Sequence, residues 1–125
     1  MRHRRHYTLA QARGELAWLS RHLAAMRRAR ARLADRESRS ALAEVAPGNG
    51  GGGAGKTVGD AFLALQAGAA ALDEREIVLR DLDRGLVDFP SIREGREVYL
   101  CWLDGEPDIE FWHELDAGFP GREPL

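Results

Sequence analysis

The stretch Glu97-Val-Tyr-Leu-Cys-Trp-Leu103 decides the fold, because it is the strongest β-strand candidate in the chain. It is rich in β-branched and aromatic residues, which suit the pleated surface of a sheet. Turn-forming residues follow at 104–108, and the segment from Ile109 to His113 can return as an antiparallel partner. This part of the chain therefore predicts a β-hairpin.

The register of that hairpin depends on the length of its turn. A five-residue turn places Tyr99 opposite His113 and Cys101 opposite Phe111. A four-residue turn instead sets Val98 against His113, which moves every side chain of the returning strand to the opposite face of the hairpin. The sequence leaves both registers open.

Shorter β candidates precede the hairpin at 77–79 and 86–89, and Pro90 is expected to end the second of them because it cannot donate a ladder hydrogen bond. After the hairpin, residues 118–125 hold too much glycine and proline for a regular element and predict an irregular tail. Residues 76–125 are thus expected to form a small antiparallel β unit.

Two helices are predicted ahead of this unit. Thr8-Leu-Ala-Gln11 is a capping-box pattern, and the apolar residues after it recur every three or four positions: Leu9, Ala12, Leu16, Leu19, Leu23 and Met26. They predict a helix from Leu9 to about Val45. Whether the polar stretch from Arg27 to Arg39 extends beyond its partner helix is left open.

The second helix follows a glycine-rich segment at 47–56, which predicts a flexible loop. Its expected core stripe is Val58, Phe62, Leu65, Ala69 and Leu72. Two such stripes predict an antiparallel helical hairpin over 8–75 with coiled-coil-like packing. The expected fold class is α+β, a long helical hairpin followed by the β unit, in a single domain over 1–125.

The charges divide unevenly along the chain. Residues 1–40 hold 11 Arg against 3 acidic residues, whereas residues 41–125 hold 7 Lys or Arg against 17 acidic residues. This asymmetry can indicate a nucleic-acid or membrane partner, or two parts of one fold or of two subunits that attract each other. It can also reflect an arginine-rich composition without functional meaning. A single cysteine excludes an internal disulfide, and no apolar run approaches the length of a membrane span. A cytoplasmic protein without a membrane partner is expected, and nucleic acid is not the favoured partner.

Gly50-Gly-Gly-Gly-Ala-Gly-Lys-Thr57 matches the nucleotide-binding pattern GxxxxGK[ST] letter for letter. A working phosphate loop follows a buried parallel strand, but residues 43–49 do not form a strand pattern. A glycine-rich tract readily matches this pattern by chance, so the match is interpreted as fortuitous.

The candidate site residues cluster from position 88 onward: Asp88, Arg96, Cys101, Trp102, Glu106, Trp112, His113, Glu114 and Arg122. His113, Cys101 and Glu106 have the side chains that bind a transition metal, although no CxxC or HxxxH spacing accompanies them. The alternatives are a core histidine bonded to backbone, a core cysteine and arginines paired with acids. His3, His6 and His22 suggest no site.

The tail motifs resemble one bacterial family. They are Gly85-Leu-Val-Asp-Phe-Pro90, Gly95-Arg-Glu-Val-Tyr-Leu-Cys-Trp102, Gly105-Glu-Pro107, Trp112-His-Glu114 and Gly118-Phe-Pro-Gly-Arg122. Together with Tyr7-Thr-Leu-Ala-Gln-Ala12 and the glycine-rich break, they resemble domain-of-unknown-function family 2203. The resemblance implies a small stand-alone cytosolic protein and places any site in the tail, but it implies no activity.

Three functional hypotheses follow. The first is a non-enzymatic interaction module that self-associates, as a dimer, or binds a protein partner. The second is a metal or small-ligand site around His113, with or without enzymatic activity. The third is nucleic-acid binding through the arginine-rich first helix, which would depend steeply on salt.

Overall fold

The computed structural model describes residues 1–43 and 52–125, and side chains within 1–35 and 58–125. Helix α1 spans Leu9–Ala43 and helix α2 spans Gly52–Glu74. Strands follow at Val78–Asp81 (β1), Leu86–Arg93 (β2), Arg96–Leu103 (β3), Phe111–Glu114 (β4) and Glu123–Pro124 (β5), with a 3₁₀ turn at Phe119–Gly121. The predicted α+β class, a helical hairpin followed by an antiparallel sheet, is confirmed.

The five strands form one antiparallel sheet in the order β1-β2-β3-β4-β5. Tyr99 pairs with His113 and Cys101 with Phe111, which is the register of the five-residue turn. The prediction that the tail holds no regular element is wrong, because Phe111 and Trp112 pair with residues 124 and 123 of β5.

The prediction that Pro90 ends its strand is also wrong, since β2 continues to Arg93. The Pro90 carbonyl accepts a hydrogen bond of 2.7 Å from the Tyr7 amide, ahead of α1. Within a strand the nitrogen and carbonyl of one residue point to the same side. The proline nitrogen therefore faces the side away from β3, where it interrupts no bond of the β2–β3 ladder.

The helices and one face of the sheet share a hydrophobic core. Its buried members include Leu19, Leu23 and Met26 from α1, Leu72 from α2, and Phe89, Leu100, Trp102 and Trp112 from the strands. The capping box is present, because the Thr8 amide donates to Gln11 Oε1 and the Gln11 amide to Thr8 Oγ1. The first predicted stripe is thus a core stripe.

On α2 the buried face differs from the predicted one. Ala61, Gly68 and Leu72 are buried, whereas Phe62 is 57% exposed and Ala69 is exposed. The cause is close packing of the helices, because a Cβ at Gly68 would lie 2.6 Å from Met26 Cγ. Small residues on this face let α2 approach α1, so the larger Phe62 turns outward.

The backbone of residues 52–56 is helical where the sequence predicts a loop, since helix extends outward from the packed part of α2. This places Gly52 to Thr57 of the phosphate-loop match on a helix, a shape that cannot wrap phosphate. The rest of the predicted loop, 47–51, lies outside the described residues.

Opposite charges from the two parts of the chain meet within the fold. Arg13 pairs with Asp108 at 2.8 Å, Arg27 with Asp104 at 2.8 Å, and Arg30 with Asp83. The charge asymmetry therefore serves, at least in these pairs, contacts between α1 and the sheet loops. Among the described residues, neither helix has the combination of length and apolar character that crossing a membrane requires.

Candidate metal centre

The sheet has one apolar and one polar buried face. Side chains alternate along β3, so Val98, Leu100 and Trp102 enter the helix-packed core while Tyr99 and Cys101 lie on the opposite face. On that opposite face the side chains of Asp88, Cys101 and His113 are each about 1% exposed. A buried carboxylate, thiol and imidazole side by side require a specific physical explanation.

These three side chains converge. One ligand atom from each residue, a carboxylate oxygen of Asp88, Sγ of Cys101 and a ring nitrogen of His113, lies within 4.8 Å of the others. Asp88 comes from β2, Cys101 from β3 and His113 from β4. Three neighbouring strands thus each supply one potential metal ligand.

The orientation of His113 is set by a backbone carbonyl. Its Nδ1 lies 2.7 Å from the carbonyl oxygen of Glu114, and its Nε2 lies 2.9 Å from Oδ1 of Asp88. A carbonyl oxygen only accepts, so Nδ1 carries a proton and Nε2 is the nitrogen that faces the cluster. This is the arrangement in which metal-binding histidines are held.

Asp88 and His113 form a buried ion pair. Burial alone would lower the pKa of His113, but its hydrogen bonds to Asp88 and to the Glu114 carbonyl outweigh burial and raise it. Burial alone would raise the pKa of Asp88, but hydrogen bonds from His113 and from Arg80 hold it below its usual range. Both charged forms are therefore favoured together.

The raised pKa of Cys101 keeps its thiol protonated at neutral pH. Burial and the neighbouring Asp88 carboxylate raise its pKa to about 12. An activated nucleophilic cysteine has the opposite property, a depressed pKa beside a basic or cationic group. Because His113 Nε2 is directed at Asp88, the cluster lacks the thiol–imidazole pair of a cysteine hydrolase.

A cavity of about 270 Å³ reaches the cluster. Its lining comprises Arg80, Leu86, Asp88, Cys101, Leu115, Asp116, Gly118 and Phe119. Two of the three potential ligands, Asp88 and Cys101, thus face a space that can admit an ion and a further small molecule.

The structure does not bring the other sequence candidates into the cluster. Glu106, predicted as a metal ligand, accepts hydrogen bonds of 2.7 and 2.8 Å from Arg122 Nη2 and another from the Leu103 amide. The other two charged candidates, Arg96 and Glu114, form an ion pair with each other near the surface. Trp102 and Trp112 belong to the core on the opposite face.

The segment ahead of α1 also packs on the polar face of the sheet, although its sequence gives no sign of this. The sequence suggested no site for His3 and His6, and in the structure both lie against the polar face. His3 Nε2 is 2.6 Å from the Tyr99 hydroxyl, and His6 Nε2 is 2.7 Å from Glu97 Oε2. Alternation along β3 puts residues 97, 99 and 101 on one face, but nothing local in the sequence places residues 1–7 over it.

The comparisons with known proteins identify the family. A family model described as "Uncharacterized conserved protein (DUF2203)" matches residues 5–125. The chain belongs to this family. No curated protein and no solved structure matches it.

Proposed function

We propose that this DUF2203 protein binds a divalent transition metal, Zn²⁺ by the character of its ligands, through Asp88, Cys101 and His113. The observation that carries the proposal is the convergence of the three ligand atoms within 4.8 Å. Neighbouring ligands around tetrahedral zinc lie about 3.3–3.8 Å apart, so small side-chain adjustments would accommodate the ion.

The ligand set favours zinc over the alkaline-earth ions. Imidazole and thiolate are ligands of zinc and other late transition metals, whereas Mg²⁺ and Ca²⁺ prefer oxygen. A cytoplasmic, reducing setting would keep Cys101 available as a thiol. Three protein ligands beside a cavity correspond to sites that leave one coordination position open for water or a substrate.

The competing explanation is a purely structural ion pair. Such a pair explains Asp88 and His113, but it does not explain why a cysteine stands within reach of both or why a cavity reaches the carboxylate and the thiol. Metal binding explains the three residues and the cavity together.

The test is zinc reconstitution followed by elemental analysis of dialysed protein. The wild type is expected to retain about one Zn²⁺ per chain, and His113→Ala to lose it while keeping its circular dichroism spectrum. Glu106→Gln is the matched control, because Glu106 was predicted as a ligand from sequence but pairs with Arg122. Equal zinc retention by His113→Ala and the wild type would overturn the proposal.

A second candidate function, self-association, is favoured by the outer face of α2. Phe62 and Leu63 are 57% and 60% exposed, and the stretch 61–72 contains no charged residue. We propose a second copy of this chain as the occupant, because two uncharged α2 faces can meet without like-charge repulsion.

Sedimentation velocity across a range of concentrations tests this candidate. Leu63→Glu is expected to abolish a dimer, and Ala10→Glu, at an exposed position of α1, to leave it intact. A wild type that is monomeric at every concentration would contradict self-association and would leave the metal proposal unaffected.

A further inference from the structure

The geometry points to a small organic carboxylate as the molecule that occupies the open position of this metal centre, with Arg80 as its second anchor. This inference rests on the metal site proposed above and names the class of ligand it takes. The carboxylate would replace a metal-bound water and form hydrogen bonds with the guanidinium.

The charge around the loaded site favours an anion. A bound dication would be balanced by the Asp88 carboxylate and the Cys101 thiolate, since His113 binds metal as the neutral imidazole. The guanidinium of Arg80 would then be the uncompensated charge beside the metal. Asp116 also lines the cavity, but it is highly exposed and pairs with Arg2 at 3.2 Å.

The position of Arg80 suits this role. Its Nε donates a hydrogen bond of 2.9 Å to Asp88 Oδ2, and its guanidinium carbon lies 5.1 Å from the centre of the Tyr99 ring. These contacts hold the guanidinium against Asp88 and Tyr99, while its two Nη atoms form no hydrogen bond with the described residues. Because Arg80 lines the cavity and is 41% exposed, those donors are available to a ligand there.

The fork of two Nη donors matches the two oxygens of a carboxylate. A carboxylate that bridges the metal and Arg80 would thus interact with a positive charge on each side. The single uncompensated positive charge matches a monoanion, whereas a phosphate dianion would leave one negative charge without a partner.

The cavity limits the size of the acid. Its volume of about 270 Å³ lies just below the usual range for pockets that bind drug-sized ligands, so it suits an acid of few heavy atoms. Leu86, Leu115 and Phe119 supply apolar lining beside the charged groups of the same cavity. The ligand class is therefore a short-chain organic acid with an apolar end.

The experiment uses Co²⁺-loaded protein, because the visible bands of Co²⁺ change when its coordination changes. Titration with propionate is expected to shift these bands saturably, and the uncharged isostere propionamide is expected to leave them unchanged. Arg80→Gln should weaken propionate binding about tenfold or more at unchanged cobalt content, which corresponds to the loss of charge-assisted hydrogen bonds. Arg84→Gln is the control, because Arg84 stacks on Phe119 but does not line the cavity.

The outcomes separate the two proposals. Protein that takes up no Co²⁺ overturns the metal site and this inference with it. Protein that binds Co²⁺ but shows no response to propionate, or an equal response to propionamide, overturns the carboxylate inference alone. Tighter binding of inorganic phosphate than of propionate overturns the choice of a monoanion. If Arg80→Gln loses cobalt, the comparison of propionate with propionamide on the wild type still tests whether the site binds a carboxylate.

Discussion

Asp88 and His113 form a 2.9 Å hydrogen bond although strand β3 lies between the strands that carry them. Two strands separated by a third are about 9.6 Å apart, so both side chains must lean over β3 to meet. Cys101 pairs with Asp88 across the ladder, and its Sγ lies within 4.8 Å of the ligand atoms of both residues. This convergence over one cysteine is the basis of the proposed metal site.

The first prediction concerns the stability of the metal-free protein at alkaline pH. The folded state raises the pKa of His113 above 6.5, so its imidazolium stabilises the fold fully below that pH and loses this effect as the pH rises through the folded-state pKa. The melting temperature of chelator-treated protein is expected to fall over the interval that extends upward from about pH 6.5. Asp88→Asn should remove most of this decline, and a wild-type melting temperature that does not change over this interval would contradict the ion pair.

The second prediction concerns protons released by metal. Nε2 of His113 and Sγ of Cys101 both carry protons in the metal-free state, and both must lose them to bind zinc. Calorimetric titration of Zn²⁺ in buffers of different ionisation enthalpy is expected to show release of about two protons near neutral pH, with affinity increasing as pH rises. Release of no protons would show that zinc binds elsewhere.

The third prediction concerns Glu97, which holds the segment ahead of α1. Its carboxylate accepts hydrogen bonds from His6 Nε2 and from the amides of Arg2 and His3. These bonds, that of His6 foremost, lower the pKa of Glu97 from 4.5 to about 2. Its stabilising effect is therefore present above pH 4.5 and is lost as the pH falls from 4.5 towards 2.

Limited trypsin digestion measures this attachment directly. Glu97→Gln is expected to speed cleavage after Arg4 and Arg5, as followed by mass spectrometry, because the segment detaches more often. Glu110→Gln, at an exposed position, is the control. Equal cleavage rates in the two variants would show that Glu97 does not hold the segment.

The fourth prediction separates crowding from backbone strain at two glycines. Gly85 and Gly95 both have positive φ, at 69° and 77°, so alanine is strained at either position. Only at Gly85 would the new Cβ collide, at 2.4 Å from Asp104 Cβ. Urea denaturation is expected to show that Gly85→Ala costs about 1–3 kcal/mol more than Gly95→Ala. Equal costs would contradict the close approach at Gly85.

Local pattern was sufficient to predict the helices and the main strands. Three predicted features depend only on residues close together in the sequence, and each is present in the structure. They are the capping box at Thr8, the apolar spacing from Leu9 to Met26 and the strand at 97–103. Phe62 was misplaced because the buried face of α2 is chosen by the fit of Gly68 against Met26. Such tertiary fit has no local signature.

The candidate site was predictable only in part, because tertiary contacts also decide which residues meet there. Asp88, Cys101 and His113 were all singled out by residue type, but the predicted metal ligands were His113, Cys101 and Glu106, without Asp88. The order of the strands brings Asp88 to the cluster and leaves Glu106 to Arg122. The missed Arg80 comes from edge strand β1, whose pairing with β2 the sequence did not specify.

The most direct test of the central claim is the near-ultraviolet absorption of the Co²⁺-loaded protein, because a thiolate bound to cobalt produces a charge-transfer band that no oxygen or nitrogen ligand gives. The wild type is expected to show this band at one equivalent of Co²⁺, and Cys101→Ala to lack it while its circular dichroism spectrum is unchanged. Because Cys101 is the only cysteine, no other residue can supply the thiolate. A wild-type spectrum without the band at saturating Co²⁺ would contradict the proposed metal centre.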